Sequence, residues 1–152
     1  MYTFTPTTED DVKELVLTIR QKDAEEVRAM TRLPVAAAIK ASVRASDEAW
    51  TFRTEEGVGC IFGVSRQSIL DDVGCPWLMT TPIIEKHKKV FLICTRETVA
   101  YWLRRYSKLE NYIDANYTQA IRWAKWAGFT VYPATPLGVY GHPFCRIEMR
   151  PE

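Results

Sequence analysis

The sequence predicts a single α/β domain, a mixed α+β arrangement around one central, mostly antiparallel sheet. Three observations predict it. Along the chain the hydrophobic spacing switches between helical and strand-like periods. The switches fall in the order strand, helices, three strands, helix, strand, helix, two strands, which layers helices against one sheet. The length of 152 residues, with 47% hydrophobic and 26% charged, suits one globular unit. The domain is therefore read as 1–152.

Each element has its own local reason. Tyr2–Thr5 alternates and stops at Pro6, a first strand. Thr7 and Thr8 each precede an aspartate by three residues, a capping box with Asp in place of Glu or Gln. Val12, Leu15, Val16 and Ile19 then form one helical stripe. "RQKDAEEVRAM" continues as a second, mostly polar helix, and Pro34 opens a third carrying Val35, Ala38, Ile39 and Val43. From Ala49 the period changes. "AWTFRT", "GVGCIFGVS" and "CPWLMTT" read as three strands, the first two joined by "EEG" and the last two by the loop "QSILDDVG". Gly59 and Gly63 inside the second mark a bulge or a close backbone approach. Ile83 to Tyr106 is helical, with a slip of the stripe at Thr95. "LENYID" is a strand. Asn116 is placed to cap the next helix, and Gly128 to end it. "FTVY" and "FCRIEM" close the sheet around a Pro/Gly-rich loop from Pro133 to Pro143.

Composition narrows the function classes. A net charge of +1 and the lack of a basic–aromatic motif count against nucleic acid as partner. The four cysteines form no CxxC pair, and with only two histidines no metal site is expected. Buried free thiols suit a reducing compartment. The N-terminus lacks the pattern of a signal peptide, and no apolar run reaches the ~20 residues of a membrane span.

Two resemblances add to this. "NYTQAIRWAKWAGFTVYP", following a late strand, resembles the helix–Gly-Phe–strand unit of GNAT acyltransferases. That likeness implies splayed middle strands, helices on both faces and a site for acetyl-CoA. "IRQKDAEEV", "CIFGV", "PWLMTT", "LENYIDANY" and "IRWAKWAGF" resemble the internal core protein A family of T7-like phages. That likeness implies virion assembly with core or portal proteins or a host protein as partners, a location in the host cytoplasm or on the virion, and no required cofactor.

Residue by residue, the GNAT pattern is incomplete. A glycine-rich phosphate cradle is replaced by "TTPIIEKHKKVF", leaving Thr80, Thr81, Lys86, Lys88 and Lys89 as the candidates to meet a phosphate. The tyrosine that would donate a proton is replaced by Ala124, or by Trp123 on the alternative count. Asn116 matches the asparagine of the pattern, and its capping role accounts for it. Tyr117 and His87 are the other catalytic candidates, and His87 also reads as a boundary residue of a basic run. Trp123 and Trp126 are read as core or as partner-facing, not as a cofactor wall. Assembly without acetyl transfer is the reading the missing loop favours; active N-acetyl transfer is the alternative. The cleft between "CPWLMTT" and "LENYID" discriminates: open, it admits a pantetheine arm; filled by Trp77 or Tyr112, it excludes one.

Overall fold

The computed structural model describes residues 1–66, 68, 70 and 72–152, so the loop expected at "QSILDDVG" lies partly outside the described residues. The elements are β1 (Tyr2–Pro6), α1 (Glu9–Thr18), α2 (Gln21–Met30), α3 (Val35–Ala45), β2 (Ser46–Thr54), β3 (Gly57–Arg66), β4 (Val73–Thr80), a 3-10 helix (Pro82–His87), α4 (Lys88–Trp102), β5 (Lys108–Asp114), α5 (Thr118–Ala127), β6 (Thr130–Val131), β7 (Thr135–Leu137) and β8 (His142–Met149).

The caps explain most helix ends. Thr8 and Asp11 form the reciprocal capping box of α1. Asp11 also accepts from Thr51 at 3.0 Å and Arg53 at 2.8 Å, tying α1 to β2. Gly128 ends α5 at φ +109°, the left-handed region glycine favours. Four expectations need correction. The long helical stretch does not break at Thr95, whose hydroxyl bonds back to the Phe91 carbonyl at 2.8 Å within α4. The change comes at His87, where the 3-10 helix gives way to α4. Asn116 does not cap α5. Its backbone N–H is drawn into a turn by Asp114 Oδ1 at 2.9 Å, so the helix starts at Thr118 with Tyr117 as its N-cap. The strand expected at Ala49 begins at Ser46, and the loop from Pro133 to Pro143 contains β7.

The sheet runs β1-β2-β3-β4-β5-β8-β6, with β7 also on β8. Every adjacent pair is antiparallel except β4 and β5, which are parallel. On one face Val12, Leu15 and Ile39 of α1 and α3 pack on Val58 and Ile61 of β3. On the other, Val99 and Trp102 of α4 and Ala124 of α5 pack with Val64, Leu109, Ile113 and Ile147 of the strands. Gly63 lets β2 and β4 close on β3 within the sheet, since a Cβ there would stand 2.7 Å from the Glu48 carbonyl oxygen and 2.8 Å from the Trp77 ring.

Candidate active site

The site begins where the sheet fails to pair. β4 and β5 share only the rungs Val73–Lys108 and Gly74–Leu109, then separate. Gly74 sits at the apex of the resulting V, where a Cβ would meet Leu109 and Tyr106 at 2.9 Å. Asn111 spans the gap just beyond, donating to the Pro76 carbonyl at 2.5 Å and accepting the Tyr112 N–H at 2.7 Å. That bond shows which edge of residue 76 faces β5. A proline is tolerated in this inner strand because its missing N–H would have had no ladder partner across the V. Strand alternation then turns the backbone of Leu78 into the cleft, and that of Thr80 as well. The Thr80 N–H is taken by Asp23 at 2.7 Å. The Leu78 N–H has no partner on β5.

The V opens into a cavity of about 280 Å³. Its apolar wall comes from Phe62, Leu78, Phe91, Val99, Ala120 and Trp123. Trp77 does not fill it: the indole N–H is held by Ser46 Oγ at 2.7 Å. Tyr112 lines the space and leaves it open. Trp123 stacks on Phe91 with centroids 5.5 Å apart, and its indole N–H is buried without a hydrogen-bond partner. Trp123 packs against the core cluster, the first of its two expected roles, and also lines the cavity. Trp126 points outward, 41% exposed, beneath the Arg96 guanidinium at 3.7 Å.

Acidic side chains gather at the other end of the cavity. Asp23 and Glu26, three residues apart on α2, both line it. Asp23 is buried and accepts from the Thr80 hydroxyl at 2.5 Å and from Tyr117. Burial nevertheless raises its pKa above the ordinary carboxylate value. Glu26 accepts the Asp114 N–H at 2.9 Å. Burial is the main cause that pushes Glu26 up to about 7, with the charges of Asp23 and Asp114 adding to it. Burial and the adjacent Asp23 raise the Tyr117 phenol, so it keeps its proton. Asp114 is itself 2.7 Å from His142 Nε2.

Of the residues singled out in the sequence, the structure brings Thr80, Tyr117 and Lys88 to the cavity. It leaves Asn116 exposed and His87 against the edge of the Phe52 ring at 5.8 Å. Thr81 is buried, spent on the Val58 carbonyl at 2.7 Å. Lys86 pairs with Glu56 and Lys88 with Glu85, both at 2.9 Å. All four cysteines are free thiols, and burial raises Cys60 far from reactivity. Asp23 and Glu26 were missed. Their signal was an acidic residue on the same helical stripe as buried Ala24 and Val27.

These features allow two halves of a coenzyme to be tested separately. The apolar slot and the inward Leu78 N–H fit a pantetheine arm, which carries amides and a thioester. The turn after β4 does not fit a pyrophosphate. Pro82 has no N–H, the Thr81 N–H goes to the Gly59 carbonyl at 3.0 Å, and the Ile83 and Ile84 N–H groups go to Thr81 at 3.3 and 3.2 Å.

Among the described residues no helix is long and apolar enough to cross a membrane, and no group of metal-ligating side chains is placed to hold an ion. No family model matches the sequence, and no curated protein matches it. Solved structures do match over nearly the whole chain. An N-acetyltransferase from Staphylococcus aureus Mu50 is 13% identical, with 99% of this chain and 98% of that one covered at a TM-score of 0.73. The spermidine N-acetyltransferase of Vibrio cholerae, solved with CoA and spermine, is 8% identical over 98% and 95% at 0.70. A GNAT-family acetyltransferase from Streptococcus pneumoniae is 8% identical over all of both chains at 0.68. These structures lend the phage resemblance no support. At such identities the likeness shows the fold, and the fold is that of the GNAT N-acetyltransferases.

Proposed function

We propose that the protein is an N-acyltransferase that moves an acyl group from a thioester to an amine. The observation that carries this is the open V between β4 and β5, running through the sheet to a carboxyl tuned near neutrality. The donor supplies an acyl carbon activated as a thioester. Glu26, half-ionised near pH 7, accepts the proton that an ammonium must lose before its nitrogen can attack. The Leu78 N–H offers a hydrogen bond where a carbonyl oxygen gathers negative charge in the cleft. The departing thiolate, with an ordinary pKa of about 8.5, leaves without a strong acid beside it. Replacement of the family's tyrosine by buried Ala124 is therefore less costly than loss of the base would be. Tyr117 spends its one proton on Asp23 and so holds that carboxyl in place beside the cavity.

The assembly reading, with core or portal partners or a host protein, rests on the phage resemblance and on the missing glycine loop. An open cleft and a buried base are not what a purely structural part requires.

The test is thiol release from acetyl-CoA and from S-acetylpantetheine across a panel of small amines and peptide N-termini. Amine-dependent release above the uncatalysed rate is expected. Absence of release with every amine, together with no thermal stabilisation by millimolar thioester, overturns the reading.

A further inference from the structure

We infer that this site recognises its acyl donor through the pantetheine arm alone and gains nothing from the nucleotide half of coenzyme A. The inference rests on the acyltransferase reading above and names its donor class. A pyrophosphate is held where several backbone N–H groups converge without competing acceptors, with cations free to join them. Here every donor in the turn after β4 is committed. Thr81 gives its N–H to Gly59 and its hydroxyl to Val58, and its own oxygens take the N–H groups of Ile83 and Ile84. Pro82 contributes none. The 3-10 helix that follows has six residues, too short to present an anion site at its start.

Three of the nearby cations are committed as well, and exposed Lys89 is not among the residues that line the cavity. Lys88 lies 2.9 Å from Glu85 Oε2 and Arg20 2.9 Å from Glu85 Oε1, while Arg20 also donates to Gln119 at 2.6 Å. Glu85 thus holds both cations at the lip of the cavity, and it adds a negative charge where a phosphate would have to lie. Lys86 is paired away from the cavity with Glu56. Inside the cleft the pattern reverses. The Trp123 indole N–H is an orphan in an apolar wall, and the Leu78 N–H has no partner across the V. The Leu78 N–H is a donor suited to the amide or thioester carbonyl of an arm, while the Trp123 N–H is sealed within the wall. The shared chemistry is an acylated pantetheine. Its sources are a carrier protein bearing a phosphopantetheine arm, or coenzyme A with its nucleotide left in solvent.

The experiment measures kcat/KM for acetyl-CoA, S-acetylpantetheine and acetylated acyl carrier protein with one amine, with 3′-phospho-ADP as competitor. Acetyl-CoA and S-acetylpantetheine are expected to agree within about threefold, and millimolar 3′-phospho-ADP to leave the rate unchanged, because no charge-assisted bonds to phosphate are lost. The double variant Lys86→Ala, Lys89→Ala is expected to leave KM for acetyl-CoA unchanged. A preference for acetyl-CoA of about a hundredfold or more, the worth of several charge-assisted bonds, overturns the inference, as does competitive inhibition by 3′-phospho-ADP. Faster turnover from the carrier protein than from S-acetylpantetheine supports it and assigns the source to a carrier; equal rates support it and assign the source to coenzyme A. Failure of all three donors overturns the acyltransferase reading and this inference with it.

Discussion

Glu26 is where the chemistry and the stability of this protein meet. Its pKa in the folded chain, pushed up to about 7 from an ordinary 4.5, means that the folded chain holds the proton more tightly than the unfolded chain does. The favourable contribution is complete below the unfolded value and disappears as pH rises through the folded one. Glu26→Gln keeps the shape and removes the titration. The variant should lose acyl transfer on the order of a hundredfold, and the rising limb of rate against pH, centred near 7 in the parent, should vanish. Its melting temperature should also fall less between about pH 5 and about pH 8 than the parent's, which differential scanning at both values checks; an unchanged rate limb in the variant would assign the base elsewhere. Trp123 allows a complementary test. Trp123→Phe keeps a ring against Phe91 and removes a buried donor that has no partner. Unsatisfied buried donors cost roughly 1–3 kcal/mol, so stability, read as the urea midpoint, should hold or rise; a clear fall would mean that the lost indole packing outweighs the removed donor. Little of this was legible in the sequence. "KDAEEV" reads as solvated polarity until the burial of Asp23 and Ala24 shows that one carboxylate shares the apolar stripe. Tyr117 was legible as a candidate only by its place, and the partner that gives it a role lies 94 residues away on α2.

At the scale of elements, local chemistry was legible and long-range pairing was not. The Thr8–Asp11 box, the Gly128 stop and the close approaches at Gly59 and Gly63 all follow from residues within a few positions of one another or from the absence of a side chain. The start of α5 was misplaced by competition: Asp114 captures the Asn116 N–H before the asparagine side chain can cap anything. Pro76 was the overlooked sign of the cleft. A proline in a strand that proves to be interior marks an edge with no ladder, and that edge is the V. Gly63→Ala tests the close approach of neighbouring strands within the sheet. Its Cβ would press on the backbone oxygen of Glu48, which cannot swing away, and on the Trp77 ring held by Ser46. Overpacking of this kind costs roughly 1–3 kcal/mol, measurable as a lower urea midpoint; an unchanged midpoint would mean that β2 yields there.

For the whole molecule, the order of elements carried the fold, and the missing motifs left the function open. The absent glycine loop and the absent tyrosine argued against chemistry because each was weighed as a part required by the usual GNAT reaction. In three dimensions the loop is replaced by a turn whose donors are spent within the protein, while the carboxyl proposed as base arrives from α2, an element the sequence pattern had not drawn attention to. The arrangement of the sheet has one more consequence. β1–β4 and β5–β8 are two leaves that share two rungs; beyond them Asn111, the Glu26–Asp114 bond and α4 packed on strands of both leaves bridge the gap, so its width is held by the helices as much as by the sheet. At the far end the leaves are latched by Arg20, Glu85 and Gln119, all solvent-reachable. The charged pair, Arg20 and Glu85, lies on the β1–β4 side, and the bonds that cross to α5 end on the neutral amide of Gln119. Salt that screens the pair therefore acts within one leaf, and the width of the gap answers to hydrogen-bond geometry rather than to the ionic medium.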